Sequence, residues 1–119
     1  MTDKQKELVG LARDIAQKEI APRALSIDKS GVMDEELLRI LRQSGMTALS
    51  VPKEFGGAGL DLLTIAMISE ELAKGCAGVA TVCAANSLAS FPVLIAGSDE
   101  QKKSYFDCLN EGGMSCFAL

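Results

Sequence analysis

The residues of this chain that could do chemistry are few, and their spacing argues against most of what they could do. There is no histidine, which removes His-based triads and imidazole metal sites from this stretch and leaves thiols and carboxylates as the available nucleophiles or ligands. The four cysteines, Cys76, Cys83, Cys108 and Cys116, form no C-x-x-C pair, so zinc-ribbon and thioredoxin-type sites lack their spacing. Each lies among Ala, Val, Leu or Phe, where free cysteine packs as a small hydrophobe. Four reduced structural thiols in a cytosolic setting are therefore expected. Asp34, Glu35 and Glu36 crowd one helical turn instead of facing each other across a cleft. They read as charges complementing a helix N-terminus, not as a catalytic carboxylate pair.

Gly56, Gly57 and Gly59 could suggest a phosphate-cradling loop. The G-x-G-x-x-G spacing is absent, no strand precedes the glycines and no Gly-Lys-Ser/Thr follows, so they are read as a sharp turn ahead of a helix. Asn86 and Ser87 are polar groups in an apolar run. Burying them unpaired would cost on the order of 1 to 3 kcal/mol, so they are expected either to satisfy neighbouring backbone or to line a pocket.

The elements that carry these residues are helical. The 119 residues give room for one domain, and aromatic residues make up only 4% of it, which favours closely packed helices over a β-sandwich. Thr2 and Gln5 have capping-box spacing, and Leu8, Leu11, Ala12 and Ile15 follow at helical intervals. This predicts a first helix from Asp3 to Ile20, stopped or kinked by Pro22. Leu37, Leu38, Ile40 and Leu41 predict a second, ended by Gly45. Met46 to Val51 reads as a buried connector.

A third helix opens near Asp61 and breaks at Gly75. A fourth, apolar nearly all round from Val79 to Ala96, is expected to be buried on every side or to line a pocket. It is long enough to span a bilayer, but Asn86, Ser87, Ser90 and Pro92 interrupt it, so no membrane association is expected. Ser98 and Gln101 start a last helix that Gly112 and Gly113 end. Met114 to Leu119 reads as the start of a strand. The fold class is thus all-α, an orthogonal or up-down bundle of about five or six helices with a short extended C-terminal tail.

The net charge of −4, with acidic and basic residues interspersed, argues against nucleic acid. The polar start of the chain resembles neither a signal nor a transit peptide, making the cytoplasm the expected location.

A series of landmarks goes further: Glu19-Ile20-Ala21-Pro22, Gly45-Met46, the run from Val51 to Asp61 (Val-Pro-Lys-Glu-Phe-Gly-Gly-Ala-Gly-Leu-Asp), Glu70-Glu71-Leu72-Ala73, Asn86-Ser87-Leu88, Gly97-Ser98-Asp99-Glu100-Gln101-Lys102 and Phe117-Ala118-Leu119. In this order and spacing they resemble the acyl-CoA dehydrogenase family over essentially the whole chain. The resemblance implies an N-terminal helical domain over residues 1–113, with 114–119 as the first residues of a middle β-domain. The remaining β- and C-terminal domains would be missing, so the chain would be a fragment, inactive alone.

For the parent enzyme it implies FAD and homo-oligomeric assembly. The reaction would be α,β-dehydrogenation of an acyl-CoA to trans-2-enoyl-CoA, with electrons passing to electron-transfer flavoprotein. The family's base comes from the C-terminal domain, so no catalytic residue is assigned. By position, Thr81, Ala84, Ala85 and Leu88 resemble the part that walls the acyl chain, with small side chains at 84 and 85 leaving room. Phe117, Ala118 and Leu119 resemble the opening of the flavin-binding stretch, which in the family continues as Thr-Glu-Pro. Acyl-CoA oxidases and flavin monooxygenases share this helical domain. A stand-alone helical interaction module is the reading from another class, and the apolar C-terminal end predicts self-association in either case.

Overall fold

The computed structural model describes residues 1–118; Leu119 lies outside them. Among the described residues there is no strand, and six α-helices follow in order: α1 (Asp3–Ile15), α2 (Ala21–Ser30), α3 (Glu35–Gln43), α4 (Leu62–Gly75), α5 (Ala77–Ala96) and α6 (Asp99–Asn110). The all-α architecture with an extended tail is as the sequence predicts. Both capping boxes form: Thr2 Oγ1 accepts from the Gln5 backbone while Gln5 Oε1 accepts from the Thr2 backbone, and Ser98 and Gln101 do the same at α6. Asp34 and Asp61 cap α3 and α4 by accepting from the Leu37 and Thr64 backbone N–H groups. Asp34 is therefore consumed as a cap, and Glu35 and Glu36 occupy the first turn of α3.

The first helix departs from expectation. Of the two expected outcomes at Pro22, a stop does not occur: Ala16–Ile20 winds as a π-turn, with the Ala21 N–H donating to Ala16 O, and the chain runs on into α2 with Pro22 in its first turn. A proline has no N–H to donate and its ring crowds the carbonyl four residues back. The wider π-turn just before it opens the ladder where the conflict would fall. That shape also serves packing, because Gly75 at the end of α4 approaches it closely. A Cβ on Gly75 would lie 2.8 Å from Ala16 O and 3.0 Å from Ile20 Cβ.

Packing joins α1 to α4 and α4 to α5, with Cys76 alone linking the last two. The main core takes Val9, Ala12 and Ile15 from α1, Leu37 and Leu41 from α3, Ile68 and Leu72 from α4, and Val79, Ala80 and Cys83 from α5. Fully burying a side chain the size of Leu72 contributes about 1.5–3 kcal/mol. The connector is buried as predicted at Met46, Thr47, Leu49 and Val51, with Ala48 and Ser50 half-buried. A second, smaller core of Val51, Phe106 and Leu109 seats α6, with Phe55 stacked on Phe106 at 5.0 Å between ring centres.

The glycine run is a structural turn. The Gly56, Gly57 and Gly59 N–H groups donate to Lys53, Pro52 and Val51 carbonyls, so none is left to cradle an anion. Gly57 has no room for a side chain, since a Cβ there would sit 2.0 Å from Val51 O.

One ion-pair cluster crosses the α1–α4 interface. The Arg13 guanidinium donates through Nε and Nη2 to the two Glu71 oxygens at 3.1 and 2.9 Å, and Lys74 Nζ reaches Glu71 Oε1 at 2.9 Å. Hydrogen bonds from Arg13 and then Lys74 pull the Glu71 carboxyl down from 4.5 to about 2. A carboxylate depressed in the folded state stabilises the fold fully above its unfolded pKa, and this contribution is lost as pH falls towards the folded one. The melting temperature should thus fall between pH 4.5 and about 2, and Glu71→Gln should melt lower at neutral pH and lose less across that window. Thermal melts of both proteins across the acid range check this, and equal acid slopes would count against it.

Candidate functional site

An apolar helix with polar interruptions must hide those polar atoms, and α5 does so on one side only. Val79, Ala80, Cys83, Asn86, Ser87, Ala89 and Ser90 face inward and are buried. Thr81, Ala84, Leu88, Phe91, Pro92, Ile95 and Ala96 are exposed, with Leu88 55% and Ile95 83% accessible. The expectation of burial on every side is therefore corrected: hydrophobicity all round here means one face in the core and one apolar face open.

Two of the inward polar side chains, Asn86 and Ser90, are hydrogen-bonded. Asn86 is 1% exposed. Its Nδ2 donates to Thr47 O at 2.8 Å and to Gly113 O at 3.3 Å, and its Oδ1 accepts from the Ser115 N–H at 2.6 Å and Ser115 Oγ at 3.1 Å. The Tyr105 hydroxyl shares a 2.8 Å hydrogen bond with the Ser115 hydroxyl. Ser90 Oγ donates to Asn86 O at 2.7 Å and accepts from Ser50 Oγ at 3.0 Å. The expected backbone partner for Asn86 is thus real, but it includes the tail. No strand forms over Met114–Ala118, since an isolated strand has nothing to pair with. The tail instead lies extended, fastened to α5 and α6.

That fastening places Phe117 at the open face of α5. Leu88, Phe91, Pro92, Ile95, Ala96 and Phe117 line an open groove of about 450 Å³. Of the residues singled out by sequence, Leu88 and Phe117 are brought together there. Thr81, Ala84 and Ala85 lie one to two turns earlier on the same helix at i, i+3 and i+4 spacing, outside the groove. Thr81 Oγ1 donates to Ala77 O at 2.9 Å, so its polar atom is already satisfied. Ala118 is exposed beyond the groove, and Leu119 is outside the described residues. Phe91, Pro92, Ile95 and Ala96 were not singled out, although continuing the helical step from Leu88 reaches each of them.

A larger cleft of about 790 Å³ lies between α5 and α6, lined by Pro92, Val93, Tyr105 and Cys108 among others. Of its polar residues, Gln101 is spent in the capping box of α6. The Tyr105 hydroxyl is held by Ser115, and Glu100, Ser104 and Cys108 are the other polar or thiol side chains along this seam between two helices. Among the described residues no group of His, Cys, Asp or Glu could hold a metal ion.

The cysteines divide. All four are free thiols; Cys83 is buried, Cys76 half-buried, and Cys108 and Cys116 exposed. The expectation of uniformly packed thiols therefore fails for the last two, whose apolar sequence neighbours do not cover them. Burial pushes the Cys83 thiol up to about 11.

Comparison with known proteins agrees with this geometry. The family model for the acyl-CoA dehydrogenase N-terminal domain matches residues 2–113. The chain belongs to that family. It is 36% identical over its whole length to a probable acyl-CoA dehydrogenase of Mycobacterium leprae, covering 31% of that protein. It is 38% identical over 94% of its length to the human mitochondrial short-chain specific acyl-CoA dehydrogenase, covering 28% of it. Among solved structures, butyryl-CoA dehydrogenase from Megasphaera elsdenii superposes with a TM-score of 0.82 at 35% identity, over 94% of this chain and 30% of that one. A chain from a structural study of the electron transferring flavoprotein of Acidaminococcus fermentans and flavin-based electron bifurcation gives 0.84 at 31% identity, again over 94% and 30%. The chain thus spans a little under a third of the length of these relatives.

Thiol reactivity follows from the burial pattern. Iodoacetamide at mildly alkaline pH should label Cys108 and Cys116 rapidly in the folded chain and Cys83 only once denaturant is added. Peptide mass spectrometry reads this, and native labelling of Cys83 at the rate of Cys108 would contradict the packing of α5.

Proposed function

We propose that this chain is the N-terminal helical part of an FAD-dependent acyl-CoA dehydrogenase, in which α5 and the tail form one wall of the acyl-chain channel. The groove between Leu88 and Phe117 carries the proposal. An acyl chain gains about 0.8 kcal/mol for each methylene removed from water, provided the wall holds no unmet polar group. The groove is lined by apolar side chains alone, while Asn86 and Ser90 of the same helix are turned inward and paired. Ala84 and Ala85 leave space further along the same face.

Such a wall also keeps water from a reaction that acidifies the carbon next to a thioester. No carboxylate lines the groove, so proton removal is not assigned to this chain, which is inactive alone. Phe117 and Ala118 fit a contact with the edge of a flavin ring. Two residues hold little of so large a cofactor, so most of the hold on FAD would come from elsewhere in the parent. When bound, FAD supplies the hydride acceptor. The parent would pass electrons to electron-transfer flavoprotein, assemble as a homo-oligomer and work in the cytoplasm. The names of the relatives, dehydrogenases in M. leprae, human and M. elsdenii, favour this chemistry over acyl-CoA oxidase or flavin monooxygenase.

The test is to sequence past the Leu119 codon and express the whole reading frame. A flavin spectrum bleached by a saturated acyl-CoA is expected. Leu88→Trp should raise KM for long acyl chains at least about tenfold, as expected for loss of a methylene-sized fit, with turnover of the shortest substrate retained. A frame that stops there, or a colourless product, would leave a stand-alone helical interaction module instead. Unchanged chain-length preference in the variant would remove Leu88 from the wall.

A further inference from the structure

A side-chain amide offers two donors and an acceptor oxygen with two lone pairs, and Asn86 uses all of this capacity on segments far away in sequence. Two bonds would suffice to make its burial tolerable. The arrangement goes further: Nδ2 ties the connector at Thr47 O and the tail at Gly113 O, and Oδ1 takes both the N–H and the hydroxyl of Ser115. Tyr105 holds Ser115 from the α6 side.

We propose that Asn86 is a positioning residue that sets the register of the tail against α5, and so aims Phe117 into the groove. This rests on the reading of the groove as an acyl and flavin wall. Phe117 follows Ser115 by two residues, so it lies at most about 7 Å beyond the bond to Asn86. Along α5, Leu88 follows Asn86 by two residues, which places it on the outward face of the helix. Fixing Ser115 on Asn86 keeps Phe117 within reach of that face, where it lines the groove with Leu88. A slip of one residue would exchange Phe117 for Cys116 or Ala118 at the groove.

Asn86 acts through Phe117 and touches neither substrate nor cofactor in this scheme. It also differs from an ordinary buried amide in a measurable way: breaking its bonds to Ser115 should free the tail while the helices stay folded.

The chain has no tryptophan, so Phe117→Trp supplies a single reporter. In the otherwise unaltered chain its emission should be blue-shifted and its anisotropy high. Adding Asn86→Ala should shift emission to the red and lower the anisotropy. Because that variant strands two carbonyls and could unfold, Ser115→Pro is the second arm: it removes the N–H and the hydroxyl that donate to Asn86 Oδ1, together with the bond to Tyr105, and leaves α5 unaltered. It should give the same red shift with an unchanged far-ultraviolet circular dichroism spectrum. In the whole protein expressed from its reading frame, Ser115→Pro without the reporter should raise the dissociation constant for FAD at least about tenfold, the scale of a single lost hydrogen bond, since it removes all three that Ser115 makes to Asn86 and Tyr105. Identical reporter emission with and without Ser115→Pro, in a protein that binds flavin, would overturn the positioning role alone. A whole protein without flavin would overturn the functional reading and with it the role given to Phe117.

Discussion

A single buried amide links the parts of this molecule that sequence keeps apart. Asn86 is bonded to residues 39, 27 and 29 positions away, so the connector, the central helix and the tail share one hydrogen-bonding centre. The low dielectric that strengthens such bonds also makes any one of them costly to lose. The neighbouring Ser50–Ser90 bond adds a second tie between connector and α5. Polar atoms here specify how segments meet, whereas apolar burial supplies the bulk of the stabilisation without setting register.

The α1–α4 framework shows the same division. Ile15, Ile20, Ile68 and Leu72 supply the apolar contact, but three local devices fix how closely the helices approach. The π-turn accommodates Pro22, Gly75 lets α4 come up to the Ala16 carbonyl, and Arg13 and Glu71 lock the rotation of one helix against the other. At their N-terminal ends, Gln5 Nε2 donates to Thr64 Oγ1, whose hydroxyl is itself held by Asp61. A cap on one helix is thereby joined to a cap on its neighbour.

Features decided within a few residues were legible in the sequence. The two capping boxes, the stops at Gly45 and Gly112, the buried connector and the glycine turn all depend on neighbours three or four positions away. Proline at position 22 was read as a stop or a kink because its local conflict is plain, while the π-turn that resolves it leaves no compositional trace; α2 was therefore missed. The exposure of Cys108 and Cys116 was missed for a related reason, since apolar neighbours along the chain say nothing about which side of a helix or tail meets the core. At the candidate site, Leu88 and Phe117 were legible through family resemblance. The contact between them was not, because it depends on where Ser115 is fastened 29 residues from Asn86.

The two faces of α5 carry the most information about what the domain is for. With 20 residues, the helix is long and apolar enough to cross a membrane by length and composition. Asn86, Ser87 and Ser90, however, lie on the face packed into the protein, and the outward face is apolar apart from Thr81, whose hydroxyl is spent on Ala77 O. A helix resting on a soluble core ordinarily has the reverse arrangement, with polar residues outward. An outward face of Ala, Leu, Phe, Pro and Ile is costly to leave in water, and contiguous exposed apolar surface marks a place where something binds. The tail crosses one end of that face and contributes Phe117 to it, giving a strip an edge and hence a groove. An apolar strip alone would suit many kinds of partner. A strip bounded by an aromatic ring held in place from two helices has a defined width, which suits a narrow apolar chain better than a broad protein surface.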